Sequence, residues 1–212
     1  MKAFWRAVAL ALGSMGVLAV AGPGPNPRSA STGARRDISA FGRLAFKTFT
    51  DRDGLPQNGI WTLAVDRDGY VWAGTPGGLA RYNGYQWTSF VLPSKNETFW
   101  INQGATAFTS DGGLWFGTRR AGAFRWKGGK WHEEGAAQGL PGDNVNAILE
   151  SRWPDARGHR RLWIATYDGG LAYRDDQVWH PLAGLPTRRL FCLAETRQGE
   201  DPPMLWVGTD QG

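Results

Sequence analysis

From residue 54 onward, short apolar runs of strand-forming residues alternate with polar or glycine-rich turns along the chain. The run "GIWTLAVD" is apolar and β-prone, "RDG" turns the chain, and "YVWAGT", "PGG", "LARY", "NG" and "YQWTSF" come next in order. Runs this short, bounded by Gly, Asp and Asn, predict strands and not helices. The Asn-Gly pair predicts a hairpin turn whose two central residues both take positive φ.

The pattern returns as "GGLWFGTRRAGAFRWKGGKW" at 112–131 and "RRLWIATYDGGLAYRDDQVW" at 160–179, and begins again as "PMLWVGTDQG" at 203–212. An inner tryptophan column, Trp72, Trp115, Trp163 and Trp206, is spaced 43, 48 and 43 residues apart. An outer column, Trp87, Trp131 and Trp179, is spaced 44 and 48. Each corner glycine, Gly78, Gly122 or Gly170, precedes its outer Trp by nine residues. These glycines suit a corner where a Cβ would clash. "GLP" opens copies at Gly54, Gly139 and Gly184, whereas the second copy carries "SKNETFWINQG" there. The third copy is longer because "SRWPDARGHRRL" replaces the compact "VDRDGYV" turn.

Each copy therefore predicts a four-stranded antiparallel unit, and a unit of this size and period is a β-propeller blade. The expected fold is all-β: a β-propeller over residues 43–212, incomplete, with about three full blades and parts of others. A blade this small cannot bury its own faces, so the Trp columns read as packing between neighbours. Each buried Trp removes about 150–250 Å² from water. Sugar-stacking platforms, the other use of such rings, would need exposed faces. "RLAFKTFT" resembles the outermost strand of a preceding blade, and only the first two strands of a fourth copy precede Gly212. The expectation is the N-terminal part of a longer protein, because an open strand edge invites aggregation.

The first 21 residues, "MKAFWRAVALALGSMGVLAVA", have a positive start, an apolar stretch and a small-residue ending, and predict a cleaved secretory signal. The apolar stretch is interrupted by Gly13, Ser14 and Gly16 and is shorter than the ~20 residues a membrane span needs. Residues 22–42, rich in Pro, Gly and Ser, predict a flexible linker. The expected location is the periplasm, with membrane attachment only through a segment outside this sequence. The lone Cys192 cannot form an internal disulfide and, inside the apolar run "RRLFCLAET", reads as a buried structural thiol.

Twelve Trp and 30 Gly fit many short strands joined by turns. The net charge of +5 includes Lys2 and Arg6 of the leader, and the remaining Arg pairs are scattered. No nucleic-acid stripe results.

With strands A to D running outwards from the axis, the D–A and B–C connections share one face, and the irregular residues gather there. Trp100, Asn102, Arg119, Arg120, Tyr167, Asp168, Arg188 and Arg189 are the candidate ligand-binding residues. Around them fall Pro76, Gly77, Gln57, Asn58, Asp143, Asn144, Asp210 and Gln211, which otherwise read as solvated loop residues. Arg, Asn, Asp and aromatics near a central axis suit a small-molecule or glycan mouth. No catalytic set is read: His132 and His180 come directly after outer-column Trp residues, His159 lies in the inserted turn, and Glu133 and Glu134 point to opposite faces of a strand. No metal spacing or cofactor motif is found; "DRDG" at 51–54 and 66–69 begins like a calcium loop but lacks the closing Glu, and fits a type I turn.

"DGLPQNGIWTLAVDRDGYVWAGTPGGLARYNGYQW" resembles the two-component regulator propeller repeat. Gly54, Leu55 and Pro56 match its opening, Asp66 and Gly69 its turn, Trp72, Gly74 and Thr75 its core strand, and Gly78 and Leu79 its corner. The third copy departs at Ala165, where Gly is usual, and the second at Ala123, where Leu is usual. The resemblance implies a non-catalytic periplasmic sensor segment of a bacterial signalling protein, whose output domain (a histidine kinase, diguanylate cyclase or DNA-binding regulator) lies outside it. It also implies a homodimer through propellers. The rival readings are a secreted propeller lyase or glycan-processing enzyme, and an adhesion or scaffold module.

Overall fold

The computed structural model describes residues 47–92, 100–175 and 177–211. The expected signal peptide, the linker and the first four residues of the expected propeller region lie outside the described residues. The chain divides into two units, Met1–Thr48 and Phe49–Gly212, and the architecture below is that of the second.

Three four-stranded antiparallel sheets succeed one another, each a simple meander. The first contains β1 (Thr62–Val65), β2 (Val71–Thr75), β3 (Gly78–Tyr82) and β4 (Trp87–Phe90). The second contains β5 (Trp100–Phe108), β6 (Leu114–Arg119), β7 (Ala123–Lys127) and β8 (Lys130–Glu134). The third contains β9 (Val145–Glu150), β10 (Leu162–Thr166), β11 (Leu171–Asp175) and β12 (Val178–Pro181). A fourth sheet pairs β13 (Leu190–Thr196) with β14 (Met204–Thr209). These are the expected blades. Residues 47–50 carry no strand; Phe49 instead packs edge-on against Trp87 at 5.8 Å and tilted against Tyr82 at 5.0 Å.

The core lies between blades. Trp72 of the first blade packs among Leu114, Phe116, Ile101, Trp126 and Trp131 of the second. Trp115 of the second packs against Ile148, Leu162, Ile164 and Trp179 of the third. Burial of the inner column is graded: Trp72 is 0% and Trp115 1% exposed, Trp163 is half-buried, and Trp206 is 55% exposed. The sequence placed all four in the core, so Trp206 is a correction. The Trp72 and Trp115 rings are each covered by the next blade along the chain. Trp163 meets only a two-stranded sheet, and no described blade lies beyond Trp206. The outer column is uneven too, with Trp179 2% exposed and Trp87 and Trp131 half-buried. Cys192, read as buried, is exposed for the same reason as Trp206.

Two turn devices recur. A residue at the junction of strand A and the A–B turn accepts the indole N–H of the inner Trp: Trp72 donates to Asp66 at 2.8 Å, Trp115 to Thr109 at 3.3 Å and Trp206 to Thr196 at 2.8 Å. At the end of the innermost strand, Glu150 and Glu195 reach back to the preceding blade's turn. Glu150 accepts from the Ser110 N–H and hydroxyl, and Glu195 from the Ser151 hydroxyl and the Arg152 N–H.

Two turn expectations change in detail. The Asn83–Gly84 turn is a longer loop, with β4 starting only at Trp87. Gly84 alone has positive φ there, while the Asn83 side chain accepts from the Tyr85 and Gln86 N–H groups. At the corners, positive φ selects glycine in all three copies, but a Cβ would strike backbone only at Gly122, 2.3 Å from the Glu134 carbonyl oxygen.

Asp111, in the second blade's A–B turn, binds Arg125 and Lys127. Burial pushes its carboxyl up, but hydrogen bonds from Thr109, Lys127 and the Gly113 N–H, with the Arg125 charge, hold it well below the usual carboxylate range. A carboxylate depressed in the folded state stabilises above its unfolded pKa, and that contribution is lost as pH falls. Asp111→Asn is therefore expected to flatten the loss of urea stability between about pH 5 and about pH 3 relative to the parent chain. Parallel curves for the two proteins would show that Asp111 plays no part in acid sensitivity.

Candidate functional site

The inner strand of each of the last three sheets breaks register near its start. In β5, Ile101 pairs with Thr118 but the next pair is Thr106 with Phe116, so residues 102–105 bulge opposite Gly117. In β9, Val145 pairs with Thr166 and Ala147 with Ala165, leaving Asn146 unpaired. In β13, Leu190 pairs with Thr209 and Cys192 with Gly208, leaving Phe191 unpaired. A bulge re-aims side chains and is common beside functional sites. Here the bulged Asn102, Asn146 and Phe191 line one cavity of about 350 Å³ with Asn144, Arg119 and Tyr167.

The B–C turns that supply Arg119 and Tyr167 are held by a repeated threonine. Thr118 Oγ1 donates to the Gly122 carbonyl at 2.8 Å and accepts from the Ala121 N–H. Thr166 Oγ1 does the same with the Gly170 carbonyl and the Gly169 N–H. The third blade's turn is also tied to the strand opening, since the Tyr167 N–H donates to the Asn144 carbonyl at 2.8 Å.

Across the cavity floor the amides form a ladder between blades. Asn102 Nδ2 donates to the Val145 carbonyl at 2.7 Å, to Asn144 Oδ1 at 3.0 Å and to Asn146 Oδ1 at 3.3 Å. Asn146 Nδ2 donates to the Leu190 carbonyl at 2.8 Å. A backbone carbonyl can only accept, so these contacts fix which way both amides face.

Aromatic rings form the walls. Tyr167 meets Phe191 edge-on at 5.8 Å, and Arg189 lies over Tyr167 at 5.7 Å. Trp100 pairs across the strands with Arg119, whose guanidinium carbon stands 5.3 Å from the indole.

Of the eight candidate residues, Asn102, Arg119 and Tyr167 thus line the cavity, and Trp100 and Arg189 stand behind two of them. Arg120, Asp168 and Arg188 do not line it. Arg120 occupies the turn with φ +78°, and the Asp168 carboxylate packs over Gly142, where a Cβ would lie 2.1 Å away. Arg188 is exposed, with its backbone beside Gly170. Asn146 and Phe191 escaped the sequence reading because each sits inside a strand-like run. The one available signal was an Asn within the otherwise apolar start of "VNAILE".

A second hollow of about 160 Å³ lies on the other face, between Arg67 and Arg81 of the first blade and Phe108, Trp126 and Lys127 of the second. Among the described residues no group of three or more His, Cys, Asp or Glu side chains could hold a metal ion.

The fold has counterparts among solved structures. The extracellular domain of BT4673 from B. thetaiotaomicron, named as a one component system, superposes with a TM-score of 0.58 at 20% identity, over 77% of this chain and 22% of that one. A second structure of that domain, named as a hybrid two component system, gives a TM-score of 0.57 at 19% identity, over 76% of this chain and 22% of its own. The chain thus spans only about a fifth of the solved chains it matches. No curated protein matches it. Residues 54–77 match the family described as Two component regulator propeller. Residues 54–77 therefore carry the two-component regulator propeller repeat, within an all-β fold of four-stranded antiparallel blades.

Proposed function

We propose that this chain is a ligand-sensing propeller segment of a bacterial signalling protein, lies outside the cytoplasm, and is not itself catalytic. The signal is a small molecule or glycan read at the cavity between Asn102, Asn146 and Phe191. One observation carries this reading: three successive inner strands break register at the same level and turn their displaced residues into a single hollow. Packing alone does not call for three aligned bulges. The extracellular placement named for the BT4673 domain supports the location.

The arrangement also supplies a route for signalling. A ligand in the cavity touches the inner strands of three sheets, so its binding free energy depends on their relative placement. Binding then favours one arrangement of blades over another.

The test is a thermal-shift screen of the chain against a panel of soluble saccharides, carboxylates and amino acids. A ligand of the native state raises Tm by an amount that grows with the logarithm of its concentration above Kd. Asn102→Ala and Tyr167→Ala are each expected to abolish the rise produced by any hit. A hit that stabilises both variants as well as the parent would place its site elsewhere and sink the reading.

A further inference from the structure

We infer that the ligand of the Asn102–Tyr167 cavity presents an oxyanion, a carboxylate or sulfonate-like group, to Arg119, with a flat apolar face beside it for Tyr167 and Phe191. This rests on the proposed ligand cavity and adds the chemistry of what fills it.

Hydrogen-bonding groups around the cavity differ in charge. The Val145 carbonyl fixes the orientation of Asn102, whose Nδ2 is engaged with the ladder. Asn144 must then accept through Oδ1, which leaves its Nδ2 as a donor. The Tyr167 hydroxyl can donate as well. Arg119 adds its guanidinium, which lies over the Trp100 ring with its carbon 5.3 Å from the centroid and makes no ion pair among the described residues. On the accepting side the cavity offers Asn102 Oδ1, the remaining lone pairs of Asn144 Oδ1 and Asn146 Oδ1, and the Tyr167 hydroxyl oxygen, none of which carries charge. The donors, Asn144 Nδ2, the Tyr167 hydroxyl and the N–H groups of Arg119, include the one charged group of the lining, and they suit a ligand that presents acceptors.

Charge points the same way. Among the described residues no carboxylate lines the cavity, and Arg119 forms no ion pair. Of the neighbouring acids, Asp210 lies 3.6 Å from Arg189, and the Asp168 carboxylate packs over Gly142, outside the cavity lining. One uncompensated guanidinium facing amide donors suits a single negative charge. A guanidinium edge matches an oxyanion better than any neutral group. Trp100 is the positioning residue, since it holds the head of Arg119 at the rim.

The experiment is an NMR titration of the full chain at low ionic strength with two isosteric pairs, benzoate with benzamide and benzenesulfonate with benzenesulfonamide. The anion of at least one pair is expected to bind at least about tenfold more tightly than its neutral partner, as a charge-assisted contact requires. The Arg119 Nε–H and Asn144 side-chain amide resonances should move with it. Arg119→Gln should remove the preference, Trp100→Ala should weaken it, and Arg157→Gln, in the inserted turn, should leave it intact. Which anion binds more tightly identifies the oxyanion. Equal binding of charged and neutral partners at the cavity would overturn the oxyanion inference and leave the ligand cavity standing. If no probe moves the resonances of Asn102, Asn144 or Tyr167, both fail. Retention of the preference in Arg119→Gln would overturn the assignment to Arg119.

Discussion

Trp72→Ala is expected to lower the unfolding free energy by about 3–5 kcal/mol, the cost of emptying a close-packed aromatic site. Trp206→Ala, the same change at the same repeat position, is expected to cost about 1 kcal/mol or less. The two residues share strand, register and indole hydrogen bond; Trp72 donates to Asp66 and Trp206 to Thr196 at the same 2.8 Å. They differ in the cover over the ring. Trp72 is enclosed by Phe90 of its own blade and Phe116, Trp126 and Trp131 of the next, whereas Trp206 is 55% exposed. Urea denaturation of each variant gives both numbers. Equal losses would mean that the next blade is not what stabilises the inner column.

The second large effect belongs to Glu134, at the junction of the second and third blades. Its carboxylate is 5% exposed and accepts from Arg174 at 2.9 Å and from the Trp179 indole at 3.0 Å. The guanidinium groups of Arg174 and Arg125 lie 5.2 and 5.3 Å from the Trp115 ring, so one indole contacts two cations, which Glu134 and Asp111 balance. Burial pulls the Arg174 pKa down, and the Glu134 charge opposes that. Glu134→Ala is expected to cost about 3–5 kcal/mol, because it strands a buried guanidinium. Glu134→Gln keeps the shape and an acceptor for Trp179, and should recover part of the loss. The check is a double-mutant cycle with Arg174→Met. If Arg174→Met does not relieve the cost of Glu134→Ala, the unpaired charge is not its source.

Glu134 also shows how one repeat position can change its chemistry. The first blade carries Phe90 there, packed edge-on against Trp131 at 6.1 Å. The second carries Glu134, which binds the next blade's Trp179 through its indole N–H. Each is an outer-strand residue closing over the next outer Trp. Its place was legible from the repeat, but its contact was not, because the partner lies 45 residues away.

Most of the architecture was legible in the chain itself. Strand positions came from short apolar runs and their turn residues, and the blade came from the spacing of Trp72, Trp115 and Trp163. Those features are local, so backbone sterics and side-chain periodicity express them residue by residue. Part of the candidate site was legible as well: Asn102, Arg119 and Tyr167 stood out as irregular residues on the face predicted to surround the axis. Arg120, Asp168 and Arg188 stood out equally and do not line the cavity, since sequence places a loop on a face without aiming its side chains.

Tertiary structure alone decided register and cover. A bulge exists only relative to a partner strand, so Asn146 and Phe191 look like ordinary strand residues until β10 and β14 are laid beside them. Burial likewise depends on the neighbour. Trp72 and Trp206 obey the same sequence rule, and one is core while the other meets solvent, because a blade hides its aromatic face only against the blade that comes next.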